Sequence, residues 1–164
     1  MAQKEPAPLR RHIALQPLSR DHHHGLLLSW KIRQGQRREV APDRMMRYAR
    51  AFYDEALAGH FEEEERLLFP LLGPEHSLVQ RAVAEHRRLE SLFYAADERD
   101  FASVAAAIEG ELVAHIRFEE RELFQAIQEK ANPAELEAVN KQLRPREKGD
   151  PLADWPDPFW RELA

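Results

Sequence analysis

Apolar residues recur every three or four positions along most of the chain, which is the period of an amphipathic helix. Four long segments share this period: from a cap at Ser19 to about Arg37, from a cap at Asp43 to Leu72, over about 75–98, and over about 100–130. A shorter helix follows, with Asn132 as its cap and Pro133 in its first turn. The pattern predicts an all-α fold, an up-down-up-down four-helix bundle with a short C-terminal helix and a tail rich in Pro and Trp.

The predicted elements divide the chain into three parts. Residues 1–17 form an N-terminal arm rich in Pro and charge, residues 18–130 form the bundle, and residues 131–164 hold the short helix and the tail. Trp155, Phe159 and Trp160 give the tail apolar side chains that can pack on the bundle. The length of 164 residues suits a single domain.

Composition narrows the chemistry that the protein can perform. The chain has no Cys, so disulfides, thiolate ligands and cysteine nucleophiles are excluded, and any metal must be held by His and carboxylates. The net charge of −5 predicts no nucleic-acid partner, and no apolar run is long enough to span a membrane. The N-terminal residues lack the apolar stretch of a signal peptide, which favours a cytoplasmic location.

One thirteen-residue pattern occurs twice in the sequence. HFEEEERLLFPLL at 60–72 and HIRFEERELFQAI at 115–127 both read H-x-x-x-E-E-R-x-L-F-x-x-aliphatic. Residues at i and i+4 share a helix face, so each copy places a His and a Glu together. A buried His beside a buried Glu is unfavourable unless their charge is paired or binds an ion.

The phase of the apolar stripe identifies the inward members of each copy. The inward pairs are His60 with Glu64 and His115 with Glu119. In the same phase, Glu62 and Glu65 are predicted to face solvent. Tyr53, on the face of His60, is either a hydrogen-bonding neighbour of a site or a core residue.

The other two helices each offer one inward histidine. His86 lies on the apolar stripe of the third helix, and Glu90 follows one turn later. On the first helix, His22 lies at the centre of the apolar arc, His23 lies at its edge and remains the alternative, and His24 points to water. Four inward imidazoles with two carboxylates indicate a metal site, and this donor set suits iron, manganese or zinc.

These residues resemble the hemerythrin-like HHE cation-binding family. The resemblance rests on LSRDHHHGL, HFEEEERLLFP, AEHRRLE and HIRFEERELF, which occur in that order on the four helices. It implies a four-helix bundle around two non-haem irons, bridged by an oxygen atom and by two carboxylates. Matched by position, the implied ligands are His22 or His23, His60, Glu64, His86, His115 and Glu119.

Two positions depart from the oxygen-carrying hemerythrins. Those proteins have H-x-x-x-H on the third helix, where this chain has Ala82 before His86, and their fourth-helix carboxylate lies one residue later, at Glu120. One ion should therefore have fewer imidazoles than its mate and be lost first, unless His23 or Glu90 fills the vacancy. Both differences favour a reactive or sensing site over a reversible oxygen carrier.

The resemblance and the donor set support three hypotheses. The first is a di-iron protein that binds or responds to oxygen, peroxide or nitric oxide. The second is a di-iron enzyme of oxidative or nitrosative stress defence or repair, and the third is a zinc-stabilised structural or regulatory bundle. The expected partner is a small diatomic or peroxide ligand, and the chain could also pair with a second copy as a homodimer.

Overall fold

The computed structural model describes residues 10–161, and the chain is helical with no strand across that range. Its five helices are α1 (Gln16–Arg37), α2 (42–71), α3 (Ser77–Phe93), α4 (101–130) and α5 (Pro133–Gln142). The prediction of an all-α fold is thereby confirmed. Most of the predicted N-terminal arm lies outside the described residues, and the domain boundaries remain predictions. Among the described helices, none has both the length and the apolar character needed to cross a bilayer.

The helices α2 and α4 change their winding along their length. The segments of α2 are Pro42–Phe52, Tyr53–Leu57 (π), Ala58–Glu63, Glu64–Leu68 (π) and Phe69–Leu71 (3₁₀), and those of α4 are Phe101–Phe118, Glu119–Leu123 (π) and Phe124–Lys130. Each π segment adds a residue to a turn and so shifts the phase of the helical turns after it.

Two predicted helix starts were wrong. The helix α1 begins at Gln16 rather than after Ser19, and α2 begins at Pro42 rather than after Asp43. Each helix has a proline in its first turn, Pro17 in α1 and Pro42 in α2. A backbone N–H at that position would have no partner within the helix, so proline loses no hydrogen bond there. Proline thus marks the start of these two helices better than a polar capping residue does.

The third helix is shorter than predicted, and the fifth begins as predicted. The helix α3 begins at Ser77, where the His76 side chain accepts a backbone N–H, and ends at Phe93 rather than near residue 98. At the start of α5, Asn132 and Glu135 form a reciprocal capping box.

The apolar core falls into two clusters. The first includes Leu28, Ile32, Tyr48, Phe52, Leu89, Phe93, Ile108 and Leu112. The second includes Leu15, Leu18, Leu68, Phe69, Val79, Leu123 and Phe124. In each of α1 to α4, buried polar residues lie at the boundary between the two sets. Successive helices pass through the clusters in alternating order. The buried polar residues therefore form a layer between the clusters.

Residues of the tail pack on the first cluster. Phe159 is buried, and its ring centroid lies 5.8 Å from that of Tyr48. Trp155 and Trp160 are partly buried against the same cluster. These contacts bring the chain that follows α5 back onto the helices.

Candidate metal centre

Four histidines are buried in the polar layer, one on each of α1 to α4. They are His22, His60, His86 and His115, each with at most 4% of its surface exposed. They form two pairs: the rings of His22 and His60 have centroids 4.9 Å apart, and so do those of His86 and His115. In the first pair the two Nε2 atoms are 3.1 Å apart, so both lone pairs can reach one ion.

Two fully buried carboxylates, Glu64 and Glu119, lie between the histidine pairs. Each is close to the histidine one turn earlier: Oε1 of Glu64 lies 3.0 Å from Nε2 of His60, and Oε1 of Glu119 lies 3.1 Å from Nε2 of His115. Nε2 of His86 lies 3.4 Å from Glu64 and 3.6 Å from Glu119. Nε2 of His22 lies 3.1 Å from Oε1 of Glu119, so each carboxylate faces both pairs.

The six side chains form two groups that could each hold a metal ion. The groups are His22, His60, Glu64 and Glu119, and Glu64, His86, His115 and Glu119, and the donor atoms within each group lie within 4.8 Å of one another. The two glutamates belong to both groups. Six of the seven residues proposed from the sequence are thus brought together.

The remaining predicted residue lies elsewhere. His23 is exposed, beside His24 and away from both groups. Its neighbour His22 is the inward residue of α1, as the phase of the helix predicted. Glu90 is half-buried and belongs to neither group.

The expected inequality in imidazoles is not found. Ala82 is fully buried in the second apolar cluster, one turn before His86, and offers no ligand. Each group nevertheless contains two histidines, because His22 pairs with His60 and leaves His86 to pair with His115. The two groups thus do not show an unequal number of imidazoles, and an inequality between two bound ions stays a prediction.

A carboxylate lies behind each of the four histidines. The Nδ1 atom of His22 lies 2.7 Å from the carboxylate of Glu120. The Nδ1 atoms of His60, His86 and His115 each lie 2.8 Å from a carboxylate, that of Asp21, Glu65 and Glu85 respectively. We call these four residues the outer carboxylates. An ionised carboxylate only accepts hydrogen bonds, so Nδ1 carries the proton and donates. In the neutral ring the lone pair is then on Nε2, which points into the centre.

Sequence reasoning placed one of the outer carboxylates incorrectly, left a second open and missed the other two. Glu65 does not face solvent freely, because it accepts from His86 and its side chain is only 24% exposed. Glu120 was considered as a ligand, but it lies behind His22. Asp21 and Glu85 were not considered. All four are adjacent in the sequence to an inward residue, and this adjacency is the signal that could have identified them.

Several polar atoms at the centre lack a hydrogen-bond partner among the described residues. They are both carboxylate oxygens of Glu64, Oε2 of Glu119, and Nε2 of His86 and His115. Buried polar atoms are rarely left unpaired, and a buried carboxylate without a donor is especially unfavourable. Cations placed among these atoms would satisfy them all, so the residues present fit a metal pair.

The electrostatics of the centre favour positive charge. Burial opposes protonation of His60, but the carboxylates of Glu64 and Asp21 outweigh it and raise its pKa to about 10. Burial likewise opposes protonation of His115, and Glu119 with Glu85 raises its pKa to about 9. Without an ion, protons on the imidazoles thus offset the carboxylates. A divalent cation can replace these protons.

Both central glutamates occur where the helix winding changes. Glu64 opens the π segment Glu64–Leu68, and Glu119 opens the π segment Glu119–Leu123. Such π turns are common at functional sites because they redirect a side chain within a helix. The repeated H-x-x-x-E-E-R pattern therefore corresponds to a repeated distortion, which the sequence alone did not reveal.

Tyr53 lies among aromatic side chains. Its ring stacks on Phe93 at 5.0 Å between centroids and lies 6.2 Å from Phe61. Burial raises its pKa to about 12. Phe61 in turn stacks on the ring of His86 at 3.8 Å, so Tyr53 contacts an aromatic neighbour of the centre.

Comparison with known proteins supports a cation site. The model of the hemerythrin HHE cation-binding domain matches residues 10–127, which is more than half of the chain. No curated protein and no solved structure matches the chain. The matched region contains every residue of both groups and ends before the tail.

Proposed function

Because the chain belongs to the hemerythrin HHE cation-binding domain family, we propose that it binds a pair of non-haem iron ions in the centre between its two apolar clusters. The observation that carries this proposal is the convergence of four inward Nε2 lone pairs on two buried carboxylates. The donor set has no thiolate, and imidazole with carboxylate suits iron. We also propose that the four helices run alternately up and down, because successive helices pass through the two apolar clusters in opposite order.

Each ion would be held by two imidazoles and would share both glutamates with its mate. His22 and His60 would hold one ion, and His86 and His115 the other. Shared carboxylates place negative charge between two cations that would otherwise repel each other at close range. The paired motif H-x-x-x-E therefore supplies one terminal imidazole and one shared carboxylate from each of α2 and α4.

Iron in such a site supplies redox chemistry and binds small oxygen- or nitrogen-containing ligands. The residues of each group would hold the ion through two imidazoles and two carboxylates. Aromatic rings surround the imidazoles: Phe124 lies 5.3 Å from His22, and Phe69 lies 5.7 Å from His86, between centroids. These apolar walls would exclude bulk water. We propose a protein that binds or responds to oxygen, peroxide or nitric oxide.

Anaerobic purification tests this function. Metal analysis should find about two irons per chain, as the two groups require, and the optical spectrum should gain ligand-to-iron charge-transfer absorption when air is admitted. A colourless protein that holds only zinc would overturn the proposal and support a zinc-stabilised bundle. Sustained consumption of peroxide with a reductant would instead favour an enzyme of stress defence.

A further inference from the structure

Each outer carboxylate also accepts a hydrogen bond from an arginine. The donor–acceptor distances are 2.8 Å from Arg11 to Glu120, 2.8 Å from Arg146 to Asp21, 2.8 Å from Arg87 to Glu65 and 2.9 Å from Arg81 to Glu85. Every histidine of the centre is therefore the inner end of an arginine–carboxylate–histidine chain. Charge-assisted hydrogen bonds of this kind are stronger than neutral ones and fix the carboxylate in one orientation.

The four arginines differ in origin and in exposure. Arg81 and Arg87 lie on α3, with side chains 51% and 59% exposed, and they support the pair His86 and His115. Arg11 precedes α1 and Arg146 follows α5, with side chains only 12% and 23% exposed. These two support the other pair, His22 and His60. Segments flanking the helices thus enclose only one half of the centre.

A buried carboxylate fixes the segment that carries Arg146. Glu63, which is 2% exposed, lies beside Glu64 on α2 and points away from the centre. It accepts the backbone N–H of Arg144 at 2.8 Å and a guanidinium N–H of Arg146 at 2.9 Å. Glu63 therefore anchors residues 144–146, which we call the clasp.

A glycine in α2 provides the space for the clasp. A Cβ atom at Gly59 would lie 1.9 Å from Nη2 of Arg144. The missing Cβ at Gly59 leaves room for the Arg144 guanidinium, which is the far end of a flexible side chain that is 58% exposed. The gap at Gly59, the buried Glu63 and the contact with Asp21 are three separate features of one docking site.

We propose that the clasp holds His60 in its inward position through Asp21 and thereby slows release of the ion bound by His22 and His60. Arg146 is a positioning residue, and it lies beyond the region that matches the family model. The two ions would then have the same types of protein ligand, two imidazoles and two shared carboxylates, but different rates of exchange. This inference rests on the proposed metal pair.

The physical argument concerns how an ion leaves. Release requires an imidazole to turn away, and Nδ1 of His60 is held by Asp21 at 2.8 Å. Arg146 donates to the same Oδ2 atom of Asp21, so losing it would allow water to compete for the carboxylate. Removing the partners of metal ligands typically weakens metal binding by about 10–100-fold. The matching arginines on α3 are more exposed to water, and they should restrain their histidines less.

Chelator-induced release of Co²⁺ from the loaded full-length protein tests the clasp. The natural protein should release its ions in a slow and a fast phase. Arg146→Gln should accelerate the slow phase by about 10-fold, the lower end of the range for partners of ligands, and leave the fast phase unchanged. Arg87→Gln, the matched control on α3, should leave the slow phase unchanged. Equal slow phases in the natural protein and Arg146→Gln would overturn the inference.

Proton NMR of the Co²⁺ protein supplies a readout specific to His60. The ring N–H of each ligating histidine should give a shifted, exchangeable signal, and Arg146→Gln should change the shift and speed the solvent exchange of one of the four. Arg146→Lys keeps a hydrogen-bond donor and should partly restore the natural shift and exchange rate of that signal. A merely structural role would lower the melting temperature of the metal-free protein without singling out one signal, and that result would count against the clasp.

A second variant keeps the inference testable if Arg146→Gln does not fold. Glu63→Gln leaves the Arg146 side chain intact but removes the charge that accepts from Arg144 and Arg146, and it should accelerate the same slow phase. Normal binding with an unchanged slow phase in both variants would refute the clasp alone. Failure of the natural protein to bind any ion would refute the proposed function, and the clasp with it.

Discussion

Replacing Glu64 with Gln removes the charge of a ligand that both cation groups share. Glu64 is fully buried, and its Oε1 atom lies 3.0 Å from Nε2 of His60 and 3.4 Å from Nε2 of His86. Glu62, two positions earlier in the same run of glutamates, has a side chain that is 72% exposed. Glu62→Gln therefore makes the same chemical change without touching the centre, and it is a matched control.

The size of the effect follows from the position of Glu64. Loss of a partner behind a metal ligand weakens binding by about 10–100-fold, and Glu64 is itself a proposed ligand of both ions. Glu64→Gln should therefore weaken binding of each ion by more than about 100-fold, or roughly 3 kcal/mol. Gln has nearly the volume of Glu and should still fill the site, but the variant loses a charge that raises the pKa of His60 in the metal-free protein, so a lower metal-free stability is expected.

Competition with a chromophoric chelator measures this effect, with circular dichroism of the metal-free variants as a check on folding. Glu62→Gln should bind Zn²⁺ or Fe²⁺ within about twofold of the natural protein, as expected for an exposed side chain. Equal losses in the two variants would refute the assignment by helical phase. Full binding by Glu64→Gln would refute the shared carboxylate.

Three further outcomes are expected. Asp21→Asn should weaken the binding of one zinc ion by about 10–100-fold and leave the binding of the other unchanged in a stepwise zinc titration. In the metal-free protein the raised pKa values of His60 and His115 contribute stability that is fully present below about pH 6.5 and is lost as pH rises through about 9 to 10; melting temperatures across that range should fall while zinc affinity rises. Ala82→His should destabilise the metal-free protein by about 1–3 kcal/mol in urea, since Ala82 is fully buried, and should add no binding step.

Local periodicity was enough to predict the helices and the inward residues of the centre. The direction of a side chain from a helix depends on its position in the turn, so the apolar stripe identified His60 and Glu64 without knowledge of the neighbouring helices. The same phase preferred His22 over His23, even though α1 begins earlier than predicted. These inferences needed only contacts within one helix.

The outer carboxylates and the clasp could not be predicted in this way. Asp21 precedes His22 in the sequence but accepts a hydrogen bond from His60 on another helix. Glu65 likewise lies beside Glu64 on α2 but accepts from His86 on α3. Arg146 is separated from Asp21 by 125 positions. Which helices and segments face each other depends on packing of the whole chain, and for the same reason the pairing of the histidines could not be predicted.

A crystal structure of the iron-loaded protein, with anomalous scattering recorded at the iron edge, tests the central claim most directly. We predict two iron peaks between the apolar clusters, one bound by His22 and His60 and the other by His86 and His115, with both Glu64 and Glu119 contacting each ion. A single peak, or peaks held at the surface by His23 or His24, would contradict the proposed centre.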